Sequence, residues 1–194
     1  MSGGGTLRWR LASEEGSAGT CQPSLFGESE GAVPVRRVGH GEWRGLELLE
    51  VRAKRIVSPV PASSRMPFRW TINAYRGCSH ACTYCFARPT HAWLGLGTGE
   101  DFERRLVVKV NAVERLRAEL GSSRWKGDTI AMGTNTDPYQ RVEGRYRLTR
   151  GIVGVLSEMR NPFSVLTKST LVLGDLDLLA EAARRTEVRV NLSV

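Results

Sequence analysis

From Phe68 onward the sequence repeats one pattern: a short apolar run, a polar loop, then apolar residues at helical spacing. Residues 70–75 (Trp-Thr-Ile-Asn-Ala-Tyr) predict a first strand, and residues 106–110 a short extended segment. Asn111 is placed to cap a helix to about Leu120, with Glu114 at the capping-box position and Val113, Leu116 and Leu120 on one face. Residues 129–132 predict a second strand. Thr149 is expected to cap a helix bearing Ile152, Val153, Leu156 and Met159, stopped by Asn161-Pro162. Residues 163–166 predict a third strand. Asp175 then caps a third helix to about Arg185, and residues 188–194 predict a fourth strand. Repeated strand–helix units specify an α/β fold with parallel strands and right-handed crossovers.

The segments before this core read differently. Residues 1–42 are rich in Gly, Ser and Glu, which predicts a flexible, disordered tail. Ser24-Leu-Phe-Gly27 is an isolated apolar spot in it, and Cys21 a lone cysteine without a role. Residues 46–60 have β character and end at Pro59-Val-Pro61, reading as a lead-in strand outside the core. The expected organisation is a tail (1–42), a lead-in segment (43–67) and a core (68–194). No internal repeat of solenoid length is present.

The chemistry concentrates in Gly77-Cys78-Ser79-His80-Ala81-Cys82-Thr83-Tyr84-Cys85. The spacing is C-x3-C-x2-C with an aromatic residue before the last cysteine. A closed structural metal site takes four ligands. Three thiolates on a compact loop can instead hold three irons of a cubane cluster and leave the fourth open. Zinc is the alternative, with His80 or His91 as fourth ligand, although paired C-x2-C knuckles are its usual arrangement and one such pair is present. His80 otherwise fills the loop, and His91 caps the following segment. Gly95-Leu-Gly-Thr-Gly99 lacks the Lys-Ser/Thr of a P-loop and reads as a flexible connector.

C-x3-C-x-aromatic-C resembles the signature of the radical SAM enzymes. Arg69-Trp-Thr-Ile-Asn-Ala-Tyr-Arg-Gly-Cys78, Phe86-Ala-Arg-Pro-Thr-His91 and Gly133-Thr-Asn-Thr-Asp-Pro-Tyr-Gln140 resemble the spore photoproduct lyase-related branch, in particular its actinobacterial members. The resemblance runs from about Leu46 to the C-terminus. It implies a lyase-like enzyme whose [4Fe-4S] cluster is held by Cys78, Cys82 and Cys85. The cluster would cleave S-adenosyl-L-methionine (SAM) reductively to a 5'-deoxyadenosyl radical. An electron donor such as flavodoxin or ferredoxin is implied, and nucleic acid is a possible substrate. The fold implied is a partial (βα) barrel. The family core has six βα units; four strands are counted here, so the sequence reads as truncated by about two units.

In a βα barrel the active site gathers at the carboxyl ends of the strands. That rule brings the cysteine loop, the 133–140 loop, Thr167-Lys168 and Asn191/Ser193 to one face. By resemblance, Tyr84 lies near the adenine of SAM, or else packs over its loop. Thr134, Asn135 and Asp137 occupy the position of the motif that binds the SAM amino group, without its common Gly-Gly-Glu form. Thr134 or Asp137 would accept that hydrogen bond; turn chemistry before Pro138 is the alternative for Asn135 and Asp137. Lys168 would pair with the SAM carboxylate, and Asn191 and Ser193 would contact its ribose or methionine part. Lys168 and Asp137 are the candidate catalytic residues. Spore photoproduct lyase carries a cysteine after the second strand, where this chain has Thr134-Asn135-Thr136. That difference argues against direct equivalence.

Composition limits the classes. The 194 residues are 41% hydrophobic and carry a net charge of +8. No apolar run reaches the length of a membrane span. Unpaired thiols and no targeting segment predict a reducing cytoplasm. Residues 67–127 hold 10 Lys/Arg against 5 Asp/Glu, which suits a polyanion, or simply offsets an anionic cluster through Arg76 and Arg88. Two alternatives to the enzyme therefore stay open: a zinc- or cluster-stabilised nucleic-acid-binding module, and an inactive truncated product.

Overall fold

The computed structural model describes residues 35–38 and 44–193. In chain order, strands β1 (Val35–Val38), β2 (Glu47–Val51), β3 (Val57–Pro59), β4 (Trp70–Ile72) and β5 (Tyr75–Arg76) precede helix α1 (Glu100–Arg104). Strand β6 (Arg105–Lys109), α2 (Ala112–Leu120), β7 (Ile130–Met132), α3 (Glu143–Tyr146), α4 (Leu148–Glu158), β8 (Phe163–Thr167), α5 (Leu176–Ala183) and β9 (Val188–Leu192) follow. Short 3-10 segments span Arg88–Leu94 and Thr170–Asp175.

The fold is mixed α/β. One sheet has the order β3-β4-β7-β8-β9, in which β4, β7, β8 and β9 are parallel and β3 adds antiparallel to β4. These are the four strands expected from the pattern. All three residues of β7 are buried, as suits a central parallel strand covered on both faces. Helix α4 turns Ile152, Val153, Val155 and Leu156 into the same core as Phe163 and Val165 of β8.

A second sheet, in the order β1-β2-β6-β5, was not expected. Strand β2 runs parallel to β6, pairing Leu48 with Leu106 and Leu49 with Val107. The stretch 46–60 is therefore not outside the core: Leu46, Leu48, Ile56 and Val57 are buried in the main hydrophobic cluster. Part of the expected tail, Val35–Val38, pairs antiparallel with β2 as strand β1. Cys21 and Ser24-Leu-Phe-Gly27 lie outside the described residues.

The expected first strand, 70–75, is two strands. β4 pairs with β7 in one sheet, and β5 pairs antiparallel with β6 in the other. The chain changes sheets at Asn73-Ala74, immediately before the cysteine loop. Ile72 and Tyr75 are apolar on either side of the switch and fully buried, so each half satisfies a different sheet.

The three expected helix caps act elsewhere. Asn111 precedes α2 without a side-chain cap bond; its Oδ1 accepts from the Ala53 N–H (2.8 Å) and its Nδ2 donates to the Ala53 carbonyl (3.0 Å). Glu114 meets Arg52 at 3.1 Å in place of a capping box. Thr149 lies inside α4 and donates to the Pro138 carbonyl. The amino end of α4 is held by Glu143, whose Oε1 accepts from the N–H groups of Thr149 (2.8 Å) and Arg150 (3.2 Å). Asp175 precedes α5 but gives its carboxylate to Tyr139 (3.1 Å) and Arg150 (2.6 Å). A buried carboxylate meeting a phenol and a guanidinium is better satisfied than one capping a helix beside water.

Among the described residues no helix is long and apolar enough to cross a membrane.

Candidate functional site

The carboxyl ends of β4, β7, β8 and β9 lie at one rim, because the strands are parallel. The 133–140 loop, Thr167-Lys168 and Ser193 leave from that rim; the cysteine loop follows β5 of the other sheet and is brought beside them by its contacts with Thr136, Asp137 and Gln140. Cys78, Cys82 and Cys85 are free thiols; Cys78 is buried and the other two are half-buried. Burial pushes the Cys78 thiol up to about 11, so it holds its proton at neutral pH.

The loop is fastened by residues the sequence did not single out. Gly77 has φ +78, and a Cβ there would stand 2.8 Å from the Phe102 carbonyl oxygen and 3.1 Å from His91 Cε1. Glycine is what lets the chain pass this close at positive φ. Cys78 N–H donates to the Phe102 carbonyl at 2.8 Å. Thr136 Oγ1 donates to the Gly77 carbonyl at 2.6 Å. Gln140 is fully buried; it accepts from Ser79 N–H (3.0 Å) and donates to the Gly77 carbonyl (3.2 Å) and to Thr136 Oγ1 (2.9 Å). On the far side Arg88 donates to the carbonyls of Cys82 (3.0 Å) and Ala81 (3.1 Å) and pairs with Glu103.

The expected site residues divide into groups. Thr134 Oγ1 lies 2.6 Å from Thr71 Oγ1 and accepts from Asn73 Nδ2 at 3.2 Å; the Asn135 N–H donates to Asn73 Oδ1 at 3.1 Å. Asp137 Oδ1 accepts from Thr167 Oγ1 (2.6 Å) and Tyr139 N–H (2.8 Å), and Oδ2 from Lys168 N–H (2.8 Å). His80 Nε2 stands 3.2 Å from the same Oδ2, so Asp137 ties the cysteine loop to the end of β8. Burial raises the Asp137 pKa, but the contacts from His80, Lys168 N–H and Thr167 outweigh it and hold the carboxyl below its ordinary value. Both its oxygens are engaged within the chain, in keeping with the turn chemistry weighed against function.

Lys168 reaches over Tyr84, with Nζ 5.4 Å from the ring centroid, and Tyr84 foremost holds the ammonium above its ordinary pKa. Tyr84 is 75% exposed and does not pack down on its loop. Asn191 is exposed and donates to the Val165 carbonyl at 3.3 Å; Ser193 N–H donates to the Thr167 carbonyl at 2.9 Å. Among the described residues neither hydrogen-bonds to the cysteine loop or to Lys168.

Two buried histidine and lysine positions complete the surroundings. His91 is fully buried, with Nε2 3.0 Å from the Arg105 carbonyl oxygen and its ring edge-on to Phe102. It sits inside the Arg88–Leu94 segment and not at its start. Lys109 donates to the Asn73 carbonyl at 2.8 Å, and burial lowers its pKa to about 7. Among the described residues no three His, Cys, Asp or Glu side chains stand close enough to hold a single metal ion. A cubane cluster takes its thiolates on separate irons and asks for no such convergence. The donor set itself, three soft sulfur ligands on one loop, suits iron–sulfur chemistry.

No family model matches the chain, and no solved structure matches it. An uncharacterized protein of Mycobacterium tuberculosis is 48% identical over 172 residues, 85% of this chain and 51% of its own length. An uncharacterized protein of Methanocaldococcus jannaschii is 33% identical over 149 residues, 77% of this chain and 52% of its own. One from Acidianus two-tailed virus is 26% identical over 164 residues, 82% of this chain and 54% of its own. The chain thus spans about half the length of the curated relatives it matches.

Proposed function

We propose that the chain is the cluster-bearing part of a radical SAM enzyme of the spore photoproduct lyase-related branch. In this reading its four parallel strands belong to a partial (βα) barrel. The supporting observation is that three free cysteines share one fastened loop at the carboxyl-end rim, beside the 133–140 loop and Lys168. Cys78, Cys82 and Cys85 would hold a [4Fe-4S] cluster, with SAM as co-substrate and a flavodoxin or ferredoxin as electron donor. When bound, such a cluster supplies the electron that cleaves SAM to a 5'-deoxyadenosyl radical.

The chain's own residues have separable tasks. Each cysteine must give up its proton to become a ligand, so loading weakens as pH falls, and burial opposes that loss at Cys78. Lys168 offers a cation to a carboxylate at the rim, oriented by its backbone bond to Asp137 and by Tyr84. Thr134 offers its hydroxyl to an ammonium, within the network it shares with Thr71 and Asn73. Asp137 holds the two loops together and so sets the distance between them.

Anaerobic reconstitution with iron and sulfide tests this, followed by SAM, dithionite and chromatography for 5'-deoxyadenosine. We expect about four irons and four sulfides per chain, product formation, and loss of both in Cys82→Ala. A chain that takes up neither iron nor sulfide refutes the reading, and one that binds the cluster yet yields no 5'-deoxyadenosine refutes catalysis by this part alone.

A second reading, a nucleic-acid-binding module, draws on Tyr84, Phe86 and Trp93, which are 75%, 76% and 53% exposed, in a chain of net charge +8. Exposed aromatic rings in a basic surface can stack on bases. It predicts zinc without sulfide, and single-stranded DNA binding that weakens steeply with salt. Nucleic acid remains the first substrate class to test for the enzyme as well.

A further inference from the structure

The backbone around Cys78 is held by a side chain more than 60 residues along the chain. The peptide groups on its two sides, the Gly77 carbonyl and the Ser79 N–H, are both bound by one side chain, that of Gln140. A carboxamide has a donor and an acceptor at fixed separation, so it can grip a carbonyl and an N–H as a neighbouring strand would. Gln140 has no exposed surface, and its remaining bond to Thr136 Oγ1 turns that hydroxyl toward the same Gly77 carbonyl. Gln140 does not reach the other two cysteines: the peptide groups flanking Cys82 are held through their carbonyls by Arg88 (3.1 and 3.0 Å), and Cys85 N–H donates to the Cys82 carbonyl at 3.2 Å, a bond internal to the loop.

We propose that Gln140 is a positioning residue for the metal centre, fixing both peptide groups that flank Cys78 and thereby the direction of its thiol. The metal part rests on the proposed function; the grip on Cys78 does not. Glutamate has the same shape but turns an oxygen toward the Gly77 carbonyl and keeps only the acceptor for Ser79. Alanine removes both.

The test compares wild type, Gln140→Glu and Gln140→Ala, each shown to be folded by circular dichroism. In the metal-free chain, iodoacetamide labelling is followed cysteine by cysteine with mass spectrometry. Cys78 labelling is expected to quicken at least about tenfold in Gln140→Ala, which loses both bonds where one buried hydrogen bond alone is worth about that factor, with Gln140→Glu between. Cys82 and Cys85 should keep their wild-type rates. Unchanged Cys78 rates, or all three thiols quickening together as general loosening would cause, overturn the proposal. If Gln140→Ala does not fold, Gln140→Glu carries the same test with the same two outcomes. In chains loaded with iron and sulfide, Gln140→Ala should lose iron to a chelator about tenfold faster and shift the electron paramagnetic resonance signal of the reduced cluster. Wild-type release and an unshifted signal overturn the metal part. A wild type that takes up neither iron nor sulfide sinks the proposed function instead, while the thiol rates still decide the grip on Cys78.

Discussion

Lys109 carries its ammonium into the interior, 6% exposed, against the Asn73 carbonyl. Burial is the main force on it; the nearby charge of Arg76 lowers its pKa further and Glu119 partly opposes both, giving about 7 against an ordinary 10.5. Between those values the unfolded chain binds the proton and the folded chain does not. Stability therefore rises as pH increases from about 7 to 10.5, and below that window the folded state bears the full cost of a buried charge. Lys109→Met should flatten this rise, which thermal melts across the window measure directly. Burial works against the charged form of Glu143 too, with the opposite dependence on pH. Burial raises its pKa above the ordinary 4.5, against the bonds it accepts from Tyr75 and the α4 amides, so its contribution is greatest below 4.5 and falls as pH rises through the folded value. Glu143→Gln should remove that dependence in thermal melts extended from below pH 4.5 upward.

Among the elements, the joint between β7 and β8 is the least forgiving. Gly133 follows β7 at φ +91, and a Cβ there would stand 2.1 Å from the Leu166 carbonyl oxygen. Backbone cannot swing aside as a side chain can, so Gly133→Ala is expected to cost about 3 kcal/mol or more, read from the denaturation midpoint. Glu143→Ala leaves two amides of α4 and the Tyr75 hydroxyl without their acceptor, and should cost about 2 to 4 kcal/mol. The parallel strands and helices of this sheet were legible in the sequence because each is an apolar run or stripe bounded by turn residues. The grouping of the three cysteines on one loop was legible because their spacing is so close. Asn111, Thr149 and Asp175 misled because a capping residue and a buried tether use the same side chains; only the long-range partner, Ala53, Pro138 or Tyr139, tells them apart. The break after Ile72 was hidden for a related reason. Both halves of 70–75 have strand composition, and which sheet claims each depends on β6 and β7, far along the chain. Gln140 was quoted in its motif, but nothing local distinguishes a clamp from a surface amide.

On the scale of the molecule, the five-stranded sheet ends at β9, whose outer edge is unpaired among the described residues. Val190 and Leu192 are 43% and 62% exposed there. An apolar open edge invites another strand, so self-association that grows with concentration is expected in light scattering. Replacing both residues by lysine should suppress it while moving stability by no more than about 0.5 kcal/mol per site. The anchors of the cysteine loop carry a different consequence, one of time. Ser79 and Gln140 are 61 residues apart, and the anchor is the later of the two to be made. At about 5 to 20 residues per second on the ribosome, Cys78 waits about 3 to 12 seconds before its clamp exists. During that interval Cys78 is open to oxidants and stray metal ions that the finished rim keeps from it, so under the proposed function cluster loading would belong after Gln140 has emerged.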